Sequence, residues 1–136
     1  MTDATTTQGR PAMPGVTPYL SSSDANAAIA FYQRAFAAEV VDKRPAEDGK
    51  RLIHCLLMIN GGALMMSDCF PEYGHAFKEP QGVTLHLQVD DVRAWWDRAI
   101  SAGAEETMPL EVQFWGDRYG QLRDPFGVAW SLGGPA

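Results

Sequence analysis

Hydrophobic and polar positions alternate with two different periods over residues 82–103, and the two periods predict a strand followed by a helix. Leu85, Leu87 and Val89 alternate with polar residues, as in a strand with one apolar and one polar face. The next stretch carries apolar residues at helical spacing, namely Val92, Trp95, Trp96, Ala99 and Ile100. If this helix packs on the apolar strand face, the side chains left free to meet a ligand are Thr84, His86 and Gln88.

The same unit occurs earlier in the chain. A short strand at 16–20 is followed by a polar cap and by a helix with an apolar stripe, as in the later stretch. Thr17 and Thr84 are 67 positions apart, and the same offset relates Tyr19 to His86. A strand, a cap and a helix that recur in register predict a duplicated module.

Each predicted helix is followed by three predicted strands. Module one, residues 14–70, adds strands at 39–44, 52–59 and 63–68, and Asn60-Gly61 between the last two is a hairpin signal. Residues 71–82 form the predicted linker, and module two, residues 83–133, adds strands at 105–108, 118–123 and 128–132. Residues 1–13 are a predicted flexible leader, and 14–136 form one domain. We predict an α+β fold of two βαβββ modules, whose curved mixed sheets make a cup with the helices outside.

Composition narrows the choice of partner and compartment. The chain has 136 residues and a net charge of −6 without a basic run, which argues against a nucleic acid or an anionic membrane surface as partner. Cys55 and Cys69 lack metal-site spacing and indicate reduced thiols. No stretch has the length of a membrane span and no signal peptide is evident, so we expect a cytoplasmic protein.

Several motifs resemble those of the vicinal oxygen chelate superfamily, which includes glyoxalase I, bleomycin-resistance proteins, fosfomycin-resistance enzymes and extradiol dioxygenases. They are TPYL, GGALMMSD, GVTLHLQVDDV, WGDRYG and DPFGVAW, and the chain is most similar to the PhnB-like branch. The resemblance covers residues 14–133. It implies two βαβββ modules around a ligand cavity, and it implies a homodimer.

The resemblance also implies where a metal would bind in metal-dependent members. Those positions are occupied here by Thr17, Met66, Thr84 and Ser131. Hydroxyls and a thioether are poor ligands for Zn²⁺, Ni²⁺ or Fe²⁺, so we expect no metal cofactor. A rebuilt site would need residues that no sequence spacing brings together, namely His54, His86 and Asp68.

The leading hypothesis for function is a metal-independent protein that binds a small amphipathic organic molecule in its cup. The predicted lining is Tyr19, Met66, Thr84, His86 and Ser131, with Trp115 and Arg118 at the cavity mouth. Arg118 would hold an anionic group of the ligand or only form a turn with Asp117. His86 is either an acid–base group or a hydrogen-bonded structural histidine.

Three alternatives stay open from the sequence. One is a metal-dependent lyase, isomerase or dioxygenase with atypical ligands. Another is a metal-free enzyme that uses His86 as acid or base. The last is a structural or partner-binding protein with a vestigial cavity.

Overall fold

Each half of the chain folds into a strand, a helix and three further strands. The first half contains β1 (Tyr19–Ser22), α1 (Ala25–Phe36), β2 (Glu39–Pro45), β3 (Leu52–Ile59) and β4 (Gly62–Asp68). The second half contains β5 (Thr84–Gln88), α2 (Val92–Ala102), β6 (Glu105–Val112), β7 (Asp117–Arg123) and β8 (Ala129–Pro135). The computed structural model describes residues 15–136, so the predicted leader at 1–13 lies outside the described residues. The α+β class and the two βαβββ modules are confirmed.

Two separate mixed sheets result, one from each half. Their strand orders are β1-β4-β3-β2 and β5-β8-β7-β6, and in both the first pair is parallel while the other pairs are antiparallel. The prediction that β6 ends at 108 is wrong, since the strand continues to Val112. Pro109 is tolerated because β6 is an edge strand, and register shifts on both sides of Met108 absorb the irregularity.

Matching aspartates begin the two helices. Asp24 accepts a hydrogen bond from the backbone N–H of Ala27, and Asp91 accepts one from Ala94, each at 3.1 Å. Both pairs have the N-cap to N3 geometry that satisfies a free helix donor. The offset found in the sequence therefore relates equivalent positions in the fold.

Side chains from both halves build a single core. The ring of Trp130 on β8 lies 5.5 Å from that of Tyr32 and 4.6 Å from that of Phe36, both on α1. Asp124, in the β7–β8 turn, accepts hydrogen bonds from the Tyr32 hydroxyl at 2.5 Å and from the indole N–H of Trp130 at 2.9 Å. The helix of the first module is thus fastened to the second module.

The four edge strands differ in how well they resist pairing with another chain. β2 and β6 carry prolines, register shifts and several charged residues, which are the usual protections of an exposed edge. β1 (YLSS) and β5 (TLHLQ) carry neither charge nor proline. Among the described edge strands, β1 and β5 therefore lack these protections, although the Gln88 carbonyl at the end of β5 already accepts a hydrogen bond from the Asn60 side chain at 3.0 Å.

Two further observations concern membrane-spanning helices and the state of the cysteines. Within residues 15–136, no helix is long and apolar enough to cross a membrane. Cys55 and Cys69 are free, as expected, and burial raises the pKa of the Cys55 thiol to about 11.

Candidate functional site

The side of the second sheet that the helices leave uncovered carries most of the polar groups predicted for a site. His86 on β5 is in register with Ser131 on β8, which is in register with Gln121 on β7. Tyr119 and Asp117 lie two and four residues before Gln121 on the same strand and therefore share its face. We call this surface the open face, and it consists of His86, Gln88, Asp117, Tyr119 and Gln121, with Ser131 beneath them.

Four of these side chains form a continuous hydrogen-bonded row. Ser131 Oγ lies 2.7 Å from Nδ1 of His86, whose Nε2 lies 2.8 Å from Oε1 of Gln88. The amide nitrogen of Gln88 donates in turn to the carboxylate of Asp117 at 3.1 Å. Because a carboxylate only accepts, Gln88 must turn its oxygen toward His86, and that oxygen accepts from Nε2–H. Nδ1 of the neutral ring then accepts the Ser131 hydroxyl proton.

This row holds the imidazole ring in place from both sides. Both nitrogens of His86 are engaged within the protein, so neither offers a free lone pair to a substrate. Ser131 is 2% exposed and its hydroxyl is bonded to Nδ1 of His86, which leaves no approach path for an attacked group. The arrangement is that of a positioning network rather than of an activated nucleophile.

Aromatic rings continue from His86 to the tip of the β6–β7 hairpin. The rings of His86 and Tyr119 are stacked with centroids 5.9 Å apart, and Trp115 meets Tyr119 edge-on at 6.1 Å. Phe114 meets Trp115 at 5.0 Å. Phe114 is 97% and Trp115 53% exposed, so a large apolar area stands uncovered beside the polar row.

Two residues predicted to line the site point elsewhere. Met66 is 1% exposed in the core, where its Cα partner is Cys55. Arg118 lies on the opposite face of β7 from Tyr119, because the two are neighbours in the strand and successive side chains alternate. That opposite face also carries Gly120, which packs against α2. The expected clamp by Arg118 on an anionic group is therefore absent from the open face.

Tyr19 lies apart from the row described above, whereas Thr84 lies two residues before His86 on the same side of β5 and lines the same cleft. The Tyr19 hydroxyl is 3.0 Å from Nδ1 of His54 on the first sheet, and Tyr19 is 51% exposed. Thr84 is exposed at the start of β5. Among the described residues, no hydrogen bond or ring contact joins Tyr19 to His86. A single chain therefore does not bring all the predicted lining residues around one cavity.

The cleft nearest to His86 is small and lies between the two sheets. Its volume is about 260 Å³, below the roughly 300–1,000 Å³ of ordinary small-molecule pockets. The lining is mostly apolar and consists of Pro18, Ile59, Gly62, Ala63, Leu64, Thr84, Leu85, His86, Leu87 and Trp130.

The residues present do not fit a divalent metal. Asp68, considered with His54 and His86 for a rebuilt site, is buried and accepts backbone N–H groups from Ala25 at 2.8 Å and Leu52 at 2.7 Å. At the positions implied by the resemblance, the Met66 thioether is in the core and Ser131 is bonded to His86. Across residues 15–136, no three His, Cys, Asp or Glu side chains are grouped as a metal would need.

Asp117 and Gln88 are the parts of the network that the predicted site lacked. Gln88 was visible in the sequence, since it lies two residues from His86 on the polar side of the strand. Asp117 gave no such signal, because its place on the open face depends on the residue at which β7 begins.

Comparisons with known proteins agree with this architecture. The Glyoxalase/Bleomycin resistance protein/Dioxygenase superfamily matches residues 16–132. An uncharacterized protein of Mycobacterium tuberculosis is 46% identical over 128 residues, which cover 90% of this chain and 75% of that one. A solved Pseudomonas aeruginosa protein is 27% identical with a TM-score of 0.72, covering 88% of this chain and 96% of that one. The PhnB protein of Bacillus cereus is 25% identical with a TM-score of 0.67, and the coverages are 86% and 96%.

Proposed function

The chain belongs to the Glyoxalase/Bleomycin resistance protein/Dioxygenase superfamily, and on that premise we propose that it binds a small amphipathic organic molecule without a divalent metal. The ligand would lie on the open face, against His86, Tyr119 and Trp115. The observation that carries the proposal is the hydrogen-bonded row from Ser131 to Asp117, which fixes His86 before a ligand arrives, beside the rings of Tyr119 and Trp115. Preorganised groups lose less entropy on binding, and aromatic surface beside a few polar groups suits an amphipathic molecule.

Binding is favoured over acid–base catalysis by the state of His86. A general base needs a free nitrogen within reach of the proton that it removes, whereas both nitrogens of this ring are engaged. A catalytic role would require Gln88 to leave its place between His86 and Asp117. If the protein turns over a substrate, and a limb of its pH–rate profile disappears in His86→Ala, acid–base catalysis by His86 would replace the binding proposal.

We also propose that two copies of the chain pair so that each covers an open sheet surface of the other. This would supply the second wall that one chain lacks. The unprotected edge of β1 gives the second chain a place to attach beside that surface. Sedimentation equilibrium should give twice the chain mass of 14.9 kDa. Ser21→Lys places a charge on β1 and should shift the mass toward the monomer. A wild-type monomer at all concentrations would overturn the pairing. The cytoplasmic location and the absence of a nucleic-acid partner stay predictions.

The binding proposal is tested by titrating chelator-treated protein with amphipathic aromatic compounds, followed by tryptophan fluorescence and calorimetry. Trp115→Ala should weaken binding by about tenfold, in the range found when an aromatic contact is removed. Arg118→Ala is the matched control, since it changes a neighbouring residue whose side chain lies on the other face. Equal losses in both variants would refute the assignment of the open face.

A separate experiment tests whether the protein binds a divalent metal. A divalent ion that binds only the folded protein must raise the thermal midpoint. Melts of chelator-treated protein with Mn²⁺, Ni²⁺, Zn²⁺ and Fe²⁺ should therefore superimpose on the melt without metal. A saturable shift that His86→Ala abolishes would contradict the proposal.

A further inference from the structure

The two charged residues nearest to Tyr119 along β6 and β7 on the open face, Glu111 and Asp117, are both acidic. Glu111 on β6 is the cross-strand partner of Tyr119 on β7, and such partners place their side chains on the same face about 5 Å apart. Asp117 lies two residues from Tyr119 on the same strand and therefore also shares its face. The phenol ring of Tyr119 is thus flanked by two carboxylates.

The arginine side chains near this part of the chain either lie on the opposite face of the sheet or are paired with a carboxylate. Over β5, β6 and residues 117–121 of β7, the single lysine or arginine is Arg118, which lies on the opposite face. Arg123, at the far end of β7, lies 3.5 Å from the carboxylate of Glu79. The hydrogen bond from Gln88 to Asp117 leaves that carboxylate its charge, because an amide is neutral.

We infer that the open face selects planar aromatic cations, an inference that rests on the proposed function and names its ligand class. Phe114, Trp115 and Tyr119 meet edge-on, at 89° and 66° between their planes, so a flat cation can stack on one of the exposed rings at a time. The face of such a ring attracts positive charge. The carboxylates of Glu111 and Asp117 add attraction for a cation and repulsion for an anion. The face therefore discriminates by charge between ligands of the same shape.

A matched pair of probes tests the charge selection directly. Proflavine is a planar tricyclic cation, and 9-anthracenecarboxylate is a planar tricyclic anion of similar size. Isothermal titration at low ionic strength should give a dissociation constant for proflavine at least about tenfold lower than for the anion. Raising the salt concentration to 0.5 M should narrow that difference, since exposed charges are screened.

Charge-removing variants locate the effect on the open face. Glu111→Gln and Asp117→Asn should each weaken proflavine binding about two- to fivefold, the scale of a partly exposed charge contact. Glu111→Gln leaves the row from His86 to Asp117 intact and so separates charge from positioning. Asp97→Asn on α2 removes the same charge at an exposed site of the other surface and should leave the affinity unchanged.

The outcomes separate this inference from the proposal on which it rests. If the anion binds as tightly as proflavine and Trp115→Ala weakens both, the face binds organic molecules and the charge selection is wrong. If Asp97→Asn weakens proflavine as much as Glu111→Gln does, overall charge is responsible and the inference falls. If neither probe binds, the inference is overturned, and the compound titration described above decides the wider proposal by itself.

Discussion

Replacement of Asp124 by alanine tests how much one buried carboxylate, bonded to both modules, contributes to the free energy of unfolding. The side chain is 3% exposed and accepts four hydrogen bonds, from the Tyr32 hydroxyl, the Trp130 indole and the backbone N–H groups of Phe126 and Val128. Alanine would leave the phenol and indole donors without partners, at about 1–3 kcal/mol each. With the lost turn bonds, we expect a decrease of about 4–6 kcal/mol in the free energy of unfolding.

Urea unfolding monitored by tryptophan fluorescence measures this decrease, provided that the dependence on denaturant keeps its slope. Tyr32→Phe removes one donor together with its need for a partner, so it should cost only about 1 kcal/mol. In the Asp124→Ala background, the same change should cost nothing or restore stability, which a double-mutant cycle detects. A loss below about 2 kcal/mol for Asp124→Ala, or strict additivity in the cycle, would refute the reasoning.

Three further predictions concern Tyr32, Gly120 and Cys55. Burial and the neighbouring carboxylate raise the pKa of Tyr32 far above its usual value, so above pH 10 only the unfolded state releases this proton. Wild-type stability should then fall by about 1.4 kcal/mol per pH unit relative to Tyr32→Phe, and parallel urea-unfolding profiles would contradict this. Gly120→Ala puts a Cβ 2.8 Å from the ring of Trp96 and should cost about 1–3 kcal/mol, whereas Gly62→Ala, with 3.6 Å to its nearest neighbour, should change stability little in the same assay. Cys55 should resist thiol reagents at pH 8 until the chain unfolds, because its pKa is about 11 and it is buried; peptide mapping that finds it labelled in native protein would show the reverse.

Features that depend on a few neighbouring residues could be predicted from the sequence. The caps at Asp24 and Asp91 and the apolar stripes of both helices are local, since each involves side chains within a few turns of one element. The polar side of β5 was equally predictable, because Leu87 is buried while His86 and Gln88 are not.

The face on which a strand residue lies depends on where the strand begins and which strand it joins. A start at 118 was predicted for β7, whereas the strand begins at Asp117, and alternation places Asp117 on the same face as Tyr119. Arg118 lies opposite Tyr119 for either start, and the pairing of β7 with β8 decides that its face is the one toward the helices. Met66 was predicted to line the cavity by an alignment on sequence landmarks, whereas its neighbour Met65 is the Cα partner of Tyr19. Strand register is set by contacts between distant segments, which no local pattern contains.

The packing of α1 against β8 bears on whether either half of the chain could exist alone. α1 contacts its own sheet through β3 and β4 and also contacts Trp130 of the second sheet. Here the phenol of Tyr32 finds its acceptor in the other half, and the ring of Phe36 rests on Trp130. Cleavage in the segment between the halves would therefore leave each fragment with an incomplete interior, and the fragments would regain structure only by recombining. We therefore expect the two halves to unfold together as one cooperative unit.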